Sequence, residues 1–488
     1  MTLTHEHFRA LFDPKGIVVA GAATHPGKFG FVTLHNILAN GYKGGVFATN
    51  LKGETVLGVQ TMKSVSELRA GSADLLFVCT PPAANEEILT QAAERGVKAA
   101  FITTAGYAEA GPDGQAAQRS LIELAERLDL LVAGPNGQGI VSTPSSLCAQ
   151  IVAPYPPAGP IAIASQSGNF VSSFENLAIQ HGIGVSRGVS AGNAAMVTVP
   201  DYLDYFSRDA QSKVGLAYVE GIPDGRKFYD KMREVAARMP VVLLKGGATA
   251  GGQRAAASHT GALAADDRIF DGMCAQAGIH RAASVEAAYE AAATLATQPL
   301  PKGPNTIVLT SAGGWGVITA DAIGRSDLAL MQLPEDLQSA IDAYLPPRWS
   351  RNNPVDMAGG ETRDTIPELL DVIAAHPSVD AIVYLGLGIQ ANQAEMMRRG
   401  PYFPDHGIER IVAYHERQDR RFAEAAASAS LASDKPILTA TELATSSPEN
   451  PGPKTVKATG RICYSSADRA VEALGVLWRQ TQIEARRS

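Results

Sequence analysis

The sequence predicts an α/β protein of about three domains. Its 488 residues are enough for about three domains of ordinary size, each able to bury its own core. Short apolar runs that end in glycine-rich loops and lead into helical patterns recur along the chain, at residues 16–30, 161–178 and 306–316. Segments rich in proline, which interrupts helices and central strands, separate these repeats at residues 154–160 and 299–304. The predicted domains therefore cover residues 1–150, 155–298 and 303–488.

Composition narrows the class of protein. Hydrophobic residues make up 45% and charged residues 19% of the chain, which also has 47 glycines and 29 prolines, as suits an α/β enzyme with many turns. A net charge of −7 without a long cationic run disfavours nucleic acid as a partner. The 4 cysteines are far apart and form no C-x-x-C pair, which predicts neither a metal site nor a disulfide framework. Without an apolar signal core or an apolar run of membrane-spanning length, we expect a cytoplasmic protein that does not interact with membranes.

The first predicted domain begins with a strand, a glycine loop and a helix. Residues 16–21 form the apolar strand, and an apolar stripe marks the helix at Phe31, Val32, Leu34, Ile37 and Leu38. The first N–H groups of such a helix and its dipole favour an anion, and glycines at the loop allow a pyrophosphate to approach closely. This junction therefore predicts binding of a nucleotide diphosphate.

An NAD-dependent oxidoreductase is a weaker alternative for this domain. The stretch Gly21-Ala22-Ala23 departs from the G-x-G fingerprint of dinucleotide-binding proteins. Asn50 follows the second strand, residues 45–49, where an acidic ribose ligand is expected. Lys28 could pair with a phosphate or lie solvated on the surface, and the sequence leaves both alternatives open.

The second predicted domain repeats the strand, loop and helix. Ser165-Gln166-Ser167-Gly168 follows the strand at residues 161–164, and its hydroxyls and N–H groups could dock a phosphoryl group or merely cap the helix. Glu220 comes directly after the apolar run 214–219. Ligands of an open α/β sheet bind at the carboxyl ends of its strands, where Glu220 is expected to lie. A carboxylate there could hold an imidazole and fix its tautomer, or could be an ordinary loop acid.

His259 lies in a long glycine and alanine loop after the predicted strand at residues 241–244. An imidazole is a good nucleophile near neutral pH and can carry a transferable phosphoryl group. A lone histidine in such a loop is usually solvated and without function, and the loop alone leaves that alternative open.

The residues around His259 resemble a known family. Ser258-His259-Thr260-Gly261-Ala262-Leu263-Ala264, after Lys245-Gly246-Gly247 and Arg254, is similar to the phosphohistidine loop of the nucleoside-diphosphate-forming acyl-CoA synthetases, relatives of the succinyl-CoA synthetase α subunit. Further matches occur along nearly the whole chain, at Cys79-Thr80-Pro81-Pro82, residues 134–139 (GPNGQG), residues 165–168 (SQSG), residues 216–222 (LAYVEGI) and residues 353–356 (NPVD).

The resemblance implies a fold, a reaction and a set of site residues. It implies an N-terminal Rossmann-like CoA-binding domain followed by two flavodoxin-like, doubly wound domains. By this resemblance the residues that hold CoA are Gly21, Ala22, Ala23, Gly27, Lys28, Gly30, Asn50, Pro81 and Asn136. Those that hold phosphate are Ser165, Gln166, Ser167 and Gly168. His259 is then the phosphorylated residue, and Glu220 orients it.

The implied reaction interconverts acyl-CoA, phosphate and a nucleoside diphosphate with a carboxylic acid, CoA and a nucleoside triphosphate. The sequence contains neither a Walker-type segment nor a kinase signature. We therefore expect a separate β subunit with an ATP-grasp fold to bind the nucleotide and Mg²⁺, which makes the protein a hetero-oligomer. A non-catalytic CoA-sensing module that regulates a partner enzyme is the alternative.

Four residues depart from the family pattern. Gly137-Gln138 stands where the family usually has Cys-Leu, which bears on the shape of the site near the CoA thiol. Met196 replaces a usual aspartate, and Trp315 replaces a usual proline.

Overall fold

The computed structural model describes residues 2–152, 154–254, 267–357, 359 and 364–487. These residues group into two compact units. The first unit is Met1–Gln180 with Gly184–Ala292, and the second unit is His181–Ile183 with Ala293–Ser488.

The first sheet of the first unit is parallel, with the strand order β2-β1-β5-β6-β7. Its strands are β1 (Gly16–Ala20), β2 (Gly45–Thr49), β5 (Leu75–Val78), β6 (Ala99–Ile102) and β7 (Leu131–Ala133). A small hairpin, β3 (Thr55–Val56) and β4 (Val59–Gln60), lies outside this sheet. Its helices are α1 (His5–Phe12), α2 (Phe29–Ala39), α3 (Asn85–Glu94) and α4 (Pro112–Arg127). The strands β1, β5, β6 and β7 are apolar and completely buried, as expected of parallel strands covered by helices on both faces.

The second sheet has the order β14-β13-β12-β10-β11-β8-β9. Its strands are β8 (Gly139–Ser142), β9 (Leu147–Gln150), β10 (Ala158–Ser165), β11 (Val185–Ser190), β12 (Val214–Val219), β13 (Val241–Lys245) and β14 (His280–Ala282). Its helices are α5 (Gly168–His181), α6 (Val199–Phe206), α7 (Gly225–Ala236), α8 (Asp267–Ala277) and α9 (Val285–Thr297). The hairpin β8–β9 is antiparallel and pairs with β11, so the last residues of the range predicted as the first domain complete this second sheet. The domain boundaries themselves stay a prediction.

The prediction that residues 154–160 form a linker was wrong at its end. β10 begins at Ala158 and includes Pro160. The register of β10 against β11 shifts between Ala158 and Ile161, and proline is tolerated at such an irregularity because no ladder N–H is needed there.

The second unit is built on a parallel sheet of order β16-β15-β18-β19-β20, with β17 also paired to β15. Its strands are β15 (Asn305–Thr310), β16 (Ala329–Leu330), β17 (Val355–Asp356), β18 (Ala381–Leu385), β19 (Ile437–Ala440) and β20 (Cys463–Tyr464). Its helices are α10 (Gly313–Gly324), α11 (Glu335–Asp342), α12 (Thr365–Ala375), α13 (Ile389–Arg398), α14 (Ile408–Ser433), α15 (Leu443–Ser446), α16 (Pro451–Ala458) and α17 (Ala467–Ala485).

The opening loops of the second and third sheets share one hydrogen-bonded turn, which confirms the internal repeat. Ser165 Oγ donates to the Ser167 carbonyl oxygen at 2.6 Å and accepts from the Ser167 N–H at 3.2 Å. Thr310 Oγ1 makes the same two contacts with Ala312, both at 3.0 Å. In each case the hydroxyl at the end of the first strand shapes the turn into the next helix.

Among the described residues, no helix is long and apolar enough to cross a membrane.

Candidate functional site

A cleft of about 1340 Å³ lies at the carboxyl ends of the strands in both sheets of the first unit. Ligands of open α/β sheets bind at this edge. The loops after the strands β6, β7, β10, β11 and β12 line the cleft at residues 103–105, 136–138, 166–169, 192–194 and 219–224, respectively. Phe29, the first residue of α2, joins them. The cleft therefore extends from the start of α2, where the predicted nucleotide loop ends, to the predicted phosphate loop.

The nucleotide loop depends on a close approach between two glycines. Gly21 has φ of 87°, in the left-handed region that favours glycine. A Cβ atom at Gly30 would lie 2.1 Å from the Gly21 carbonyl oxygen, so only glycine allows α2 to start this near to β1. Ala22 N–H donates to the Thr49 carbonyl oxygen at 2.9 Å, and Asn50 Nδ2 donates to the Ala22 carbonyl oxygen at 2.9 Å. The amide of Asn50 thus holds the loop in place by donating a hydrogen bond. The acidic residue that the NAD fingerprint has at this position could not donate it when ionised.

The remaining predicted CoA residues lie around this loop. Gly27, Lys28 and Pro81 are exposed, and Ala23 is half-buried. Lys28 is the N-cap residue of α2, where its cation and the first N–H groups of the helix can face one anion. An exposed loop with this charge fits the pyrophosphate of CoA. Cys79 lies beyond the loop, and burial raises the pKa of its thiol to about 11, so it stays protonated at neutral pH.

The phosphate loop holds its own shape. Ser165 is fully buried, and its hydroxyl serves the turn described above. Gln166 Oε1 accepts from the N–H groups of Glu220 and Gly221, the latter at 3.2 Å, while its Nε2 donates to the Gly221 carbonyl oxygen at 2.9 Å. These two side chains therefore brace the loop. Ser167 and Gly168, both half-buried at the cleft, remain to meet a phosphate at the start of α5.

Glu220 lies where β12 ends and lines the cleft. Tyr218 Oη donates to Glu220 Oε1 at 2.9 Å. The carboxylate is half-buried, at the strand edge predicted for a residue that holds an imidazole.

Asn136 and Gln138 form the wall between the two sheets. Asn136 has φ of 61° and lies exposed, with its Nδ2 3.3 Å from Asn193 Oδ1. Gln138 Nε2 donates to Asn169 Oδ1 at 3.2 Å, and its carboxamide packs against Gly168, where a Cβ atom would lie 2.2 Å from Gln138 Cδ. Gln138 therefore narrows the cleft beside the phosphate loop. Met196 packs into the core and accepts from the Val132 N–H at 3.3 Å, so this departure points away from the cleft.

His259 lies outside the described residues, in the gap at residues 255–266. Both ends of this gap are described. Asp267, the first described residue after the gap, lies with its Oδ1 3.4 Å from Lys245 Nζ, at the end of β13. Arg281 Nη2, in β14, donates to both Asp267 oxygens at 2.7 and 2.8 Å. One carboxylate therefore ties β13 and β14 to the first residue of α8.

Within the described parts of the chain, no cluster of His, Cys, Asp and Glu could hold a metal ion. Sequence reasoning did not assign roles to Tyr218 or Gln138. Tyr218 precedes Glu220 by two residues in an extended segment, and this spacing, which places two side chains on one side of a strand, was the available signal.

The fold and the cleft define a class of protein, a CoA-binding enzyme with succinyl-CoA ligase-like domains. Residues 15–143 match the CoA binding domain family, residues 158–295 the succinyl-CoA ligase like flavodoxin domain, and residues 306–391 the Ligase-CoA domain.

The relatives specify the family. The chain is 35% identical over 373 residues to the α subunit of the ADP-forming acetate–CoA ligase II of Pyrococcus furiosus, covering 76% of this chain and 80% of that protein. It is 33% identical over 380 residues to the α subunit of isoenzyme I of that organism, covering 77% and 82%. The acetyl-coenzyme A synthetase 1 of Ca. Korarchaeum cryptofilum, solved with phosphate and ADP, superposes with a TM-score of 0.82 at 29% identity over 98% of this chain and 97% of that one. The chain belongs to the family of ADP-forming acyl-CoA ligases. These relatives support the ligase prediction and not the CoA-sensing alternative.

Proposed function

We propose that the chain is the CoA-binding, phosphohistidine-forming subunit of an ADP-forming acyl-CoA synthetase. The reaction interconverts acyl-CoA, phosphate and ADP with a carboxylic acid, CoA and ATP, through an acyl phosphate and phosphohistidine at His259. The observation that supports this most is the single cleft lined by Phe29, Ser167 and Glu220. A thioester, a phosphate and a carboxylate partner for an imidazole can meet there.

The residues of the nucleotide loop hold CoA, which supplies the thiol of the thioester. Residues 21–23 and Gly27 offer backbone to the pyrophosphate, and Lys28 adds charge. Gly30 and Asn50 keep the loop in place. Pro81 and Asn136 flank the path to the cleft.

In the cleft, Ser167 and Gly168 hold the phosphate at the N-terminus of α5, where unpaired N–H groups and the helix dipole stabilise negative charge. Ser165 and Gln166 keep that loop in shape. Phosphate attacks the thioester carbonyl, the thiolate of CoA leaves, and the resulting acyl phosphate passes its phosphoryl group to the imidazole of His259, releasing the acid. Glu220 accepts a hydrogen bond from that imidazole and fixes its tautomer.

The nucleotide and Mg²⁺ bind a second chain with an ATP-grasp fold, in keeping with the α subunits among the relatives. We place the reaction in the cytoplasm, because all 4 cysteines are free.

The test is phosphorylation of the chain in its native complex. Incubation with γ-labelled ATP and Mg²⁺ should place acid-labile label on this chain, and His259→Ala should abolish it. The control is His35→Ala, which changes an exposed histidine on α2 and should leave the label unchanged. Label that persists in His259→Ala would refute the assignment.

A further inference from the structure

Tyr218 and Glu220 form a pair at the end of β12. Tyr218 is 6% exposed, and its hydroxyl donates to Glu220 Oε1 at 2.9 Å. Burial, together with the neighbouring Glu220 carboxylate, raises the pKa of Tyr218. The hydroxyl therefore stays protonated at neutral pH and can only donate to the carboxylate.

The position of the tyrosine ring is itself fixed by two other elements. Phe170, in the first turn of α5, stacks on the ring with centroids 3.9 Å apart and planes at 27°. At the hydroxyl end of the ring, a Cβ atom at Gly246 would lie 2.5 Å from Tyr218 Oη and 3.2 Å from Glu220 Cγ. The hydroxyl and the carboxylate thus lie directly against the backbone that follows β13.

The backbone of Glu220 is held by a third contact. Gln166 Oε1 accepts from the N–H of Glu220, and Gln166 also bonds both polar backbone groups of Gly221. The phosphate loop and the first turn of α5 therefore restrain both the main chain and the side chain of Glu220.

We propose that Tyr218 is a positioning residue, which holds one carboxylate oxygen of Glu220 and so fixes the orientation of this carboxylate in the cleft. The inference rests on the proposed function, in which Glu220 orients the phosphorylated histidine. A carboxylate at a strand end can rotate about its side-chain bonds, and a charge-assisted hydrogen bond is strong enough to select one orientation.

The test is the rate of phosphohistidine formation in the native complex. Tyr218→Phe keeps the stacked ring and removes the hydroxyl, and it should slow the rate about tenfold, the size expected for a lost hydrogen bond to a charged group. The dissociation constant for CoA should not change. The matched control is Tyr202→Phe, because Tyr202 is a buried tyrosine of the same unit whose hydroxyl has no partner in the described part of the chain. It should leave the rate as it is.

A double-mutant cycle separates positioning from general damage to the fold. If Tyr218 acts through Glu220, Tyr218→Phe should add no further loss in a Glu220→Ala background, whereas independent effects would multiply. If Tyr218→Phe fails to fold, Phe170→Leu, which removes the ring stacked on Tyr218, replaces it, with a smaller expected loss and the same comparison in the Glu220→Ala background.

The outcomes distinguish the two proposals. A large loss in Glu220→Ala with no loss in Tyr218→Phe, or multiplicative losses in the double variant, would overturn the role of Tyr218 and leave that of Glu220 intact. An unchanged rate in Glu220→Ala would overturn the role of Glu220 and the inference with it.

Discussion

At the residue scale, Glu175 shows how tertiary packing can alter one side chain. It lies on the buried face of α5 with no exposed surface, and Gln150 Nε2 donates to both of its carboxylate oxygens at 3.2 Å. Burial raises the pKa of Glu175 from 4.5 to about 8. The helical period through Val171, Phe174 and Ala178 places Glu175 on that face, although the sequence analysis assigned no role to Glu175.

This pKa predicts a pH dependence of stability. Between pH 4.5 and about 8 the folded state binds more protons at Glu175 than the unfolded state, so stability falls as pH rises through that window and is level above it. Glu175→Gln replaces the titrating carboxyl group with a neutral amide. The substitution should therefore stabilise the protein by a few kcal/mol near pH 8 and by less at lower pH. Urea unfolding midpoints of both proteins across this range would measure the difference.

Glu123→Gln is the control for this experiment. It makes the same chemical change at an exposed position of α4 and should give no such trend. A wild-type and Glu175→Gln difference that is constant with pH would contradict the prediction.

At the scale of elements, two basic residues from neighbouring strands meet one carboxylate at the start of α8. Lys245 follows the apolar part of β13 with a side chain only 1% exposed, and Arg281 belongs to β14. Although partial burial opposes it, hydrogen bonds from Arg281 and Lys245 lower the pKa of Asp267. This carboxylate is ionised at neutral pH and also interacts favourably with the positive, N-terminal end of the α8 helix dipole.

Asp267→Asn should therefore destabilise the first unit. It leaves the buried ammonium of Lys245 without its charged partner, and breaking a buried pair on one side costs about 3–5 kcal/mol. Because Asp267 is 26% exposed, we expect the lower part of that range. The thermal midpoint should fall by several degrees.

Asp271→Asn is the matched control, since Asp271 pairs with the same Arg281 but is 58% exposed. It should change stability by less than about 1 kcal/mol, as for other exposed ion pairs. Equal effects of the two substitutions would show that Lys245 does not depend on Asp267.

At the scale of the whole molecule, two of the three glycine loops already have a proposed ligand. The loop at Gly21 serves CoA and the loop at Ser165 serves phosphate in our proposal. The third loop leads into α10 at Gly313, where a Cβ atom would lie 2.6 Å from Asp356 Oδ2. A carboxylate of the chain itself thus occupies the space beside that helix N-terminus, which disfavours a nucleotide phosphate there.

We therefore predict that the purified chain binds CoA but makes no acyl-CoA from acid, CoA and ATP. Adding an ATP-grasp partner should restore turnover. Calorimetry with CoA and a thioester assay with and without the partner would check both statements. Synthesis by this chain alone, abolished by His259→Ala to exclude a contaminating ligase, would show that no partner is needed.

The fold class could be predicted from the sequence alone. Apolar runs predicted β2 and β12 at their observed bounds. β12 is a central parallel strand buried along its whole length, whereas β2 lies at the edge of its sheet and is only partly buried. The signature motifs identified the family, and the relatives confirm this identification. Motifs are local, so one chain segment contains all that is needed to recognise them.

Only the tertiary structure decided how residues far apart in the chain cooperate. It placed β8 and β9 in the second sheet, put Gly21 against Gly30, and joined the side chain of Gln166 to the backbone of Glu220. Tyr218 gained its role from the ring of Phe170 and the missing side chain of Gly246. Most of these contacts join residues tens of positions apart, and periodicity or propensity within one segment contains no information about them.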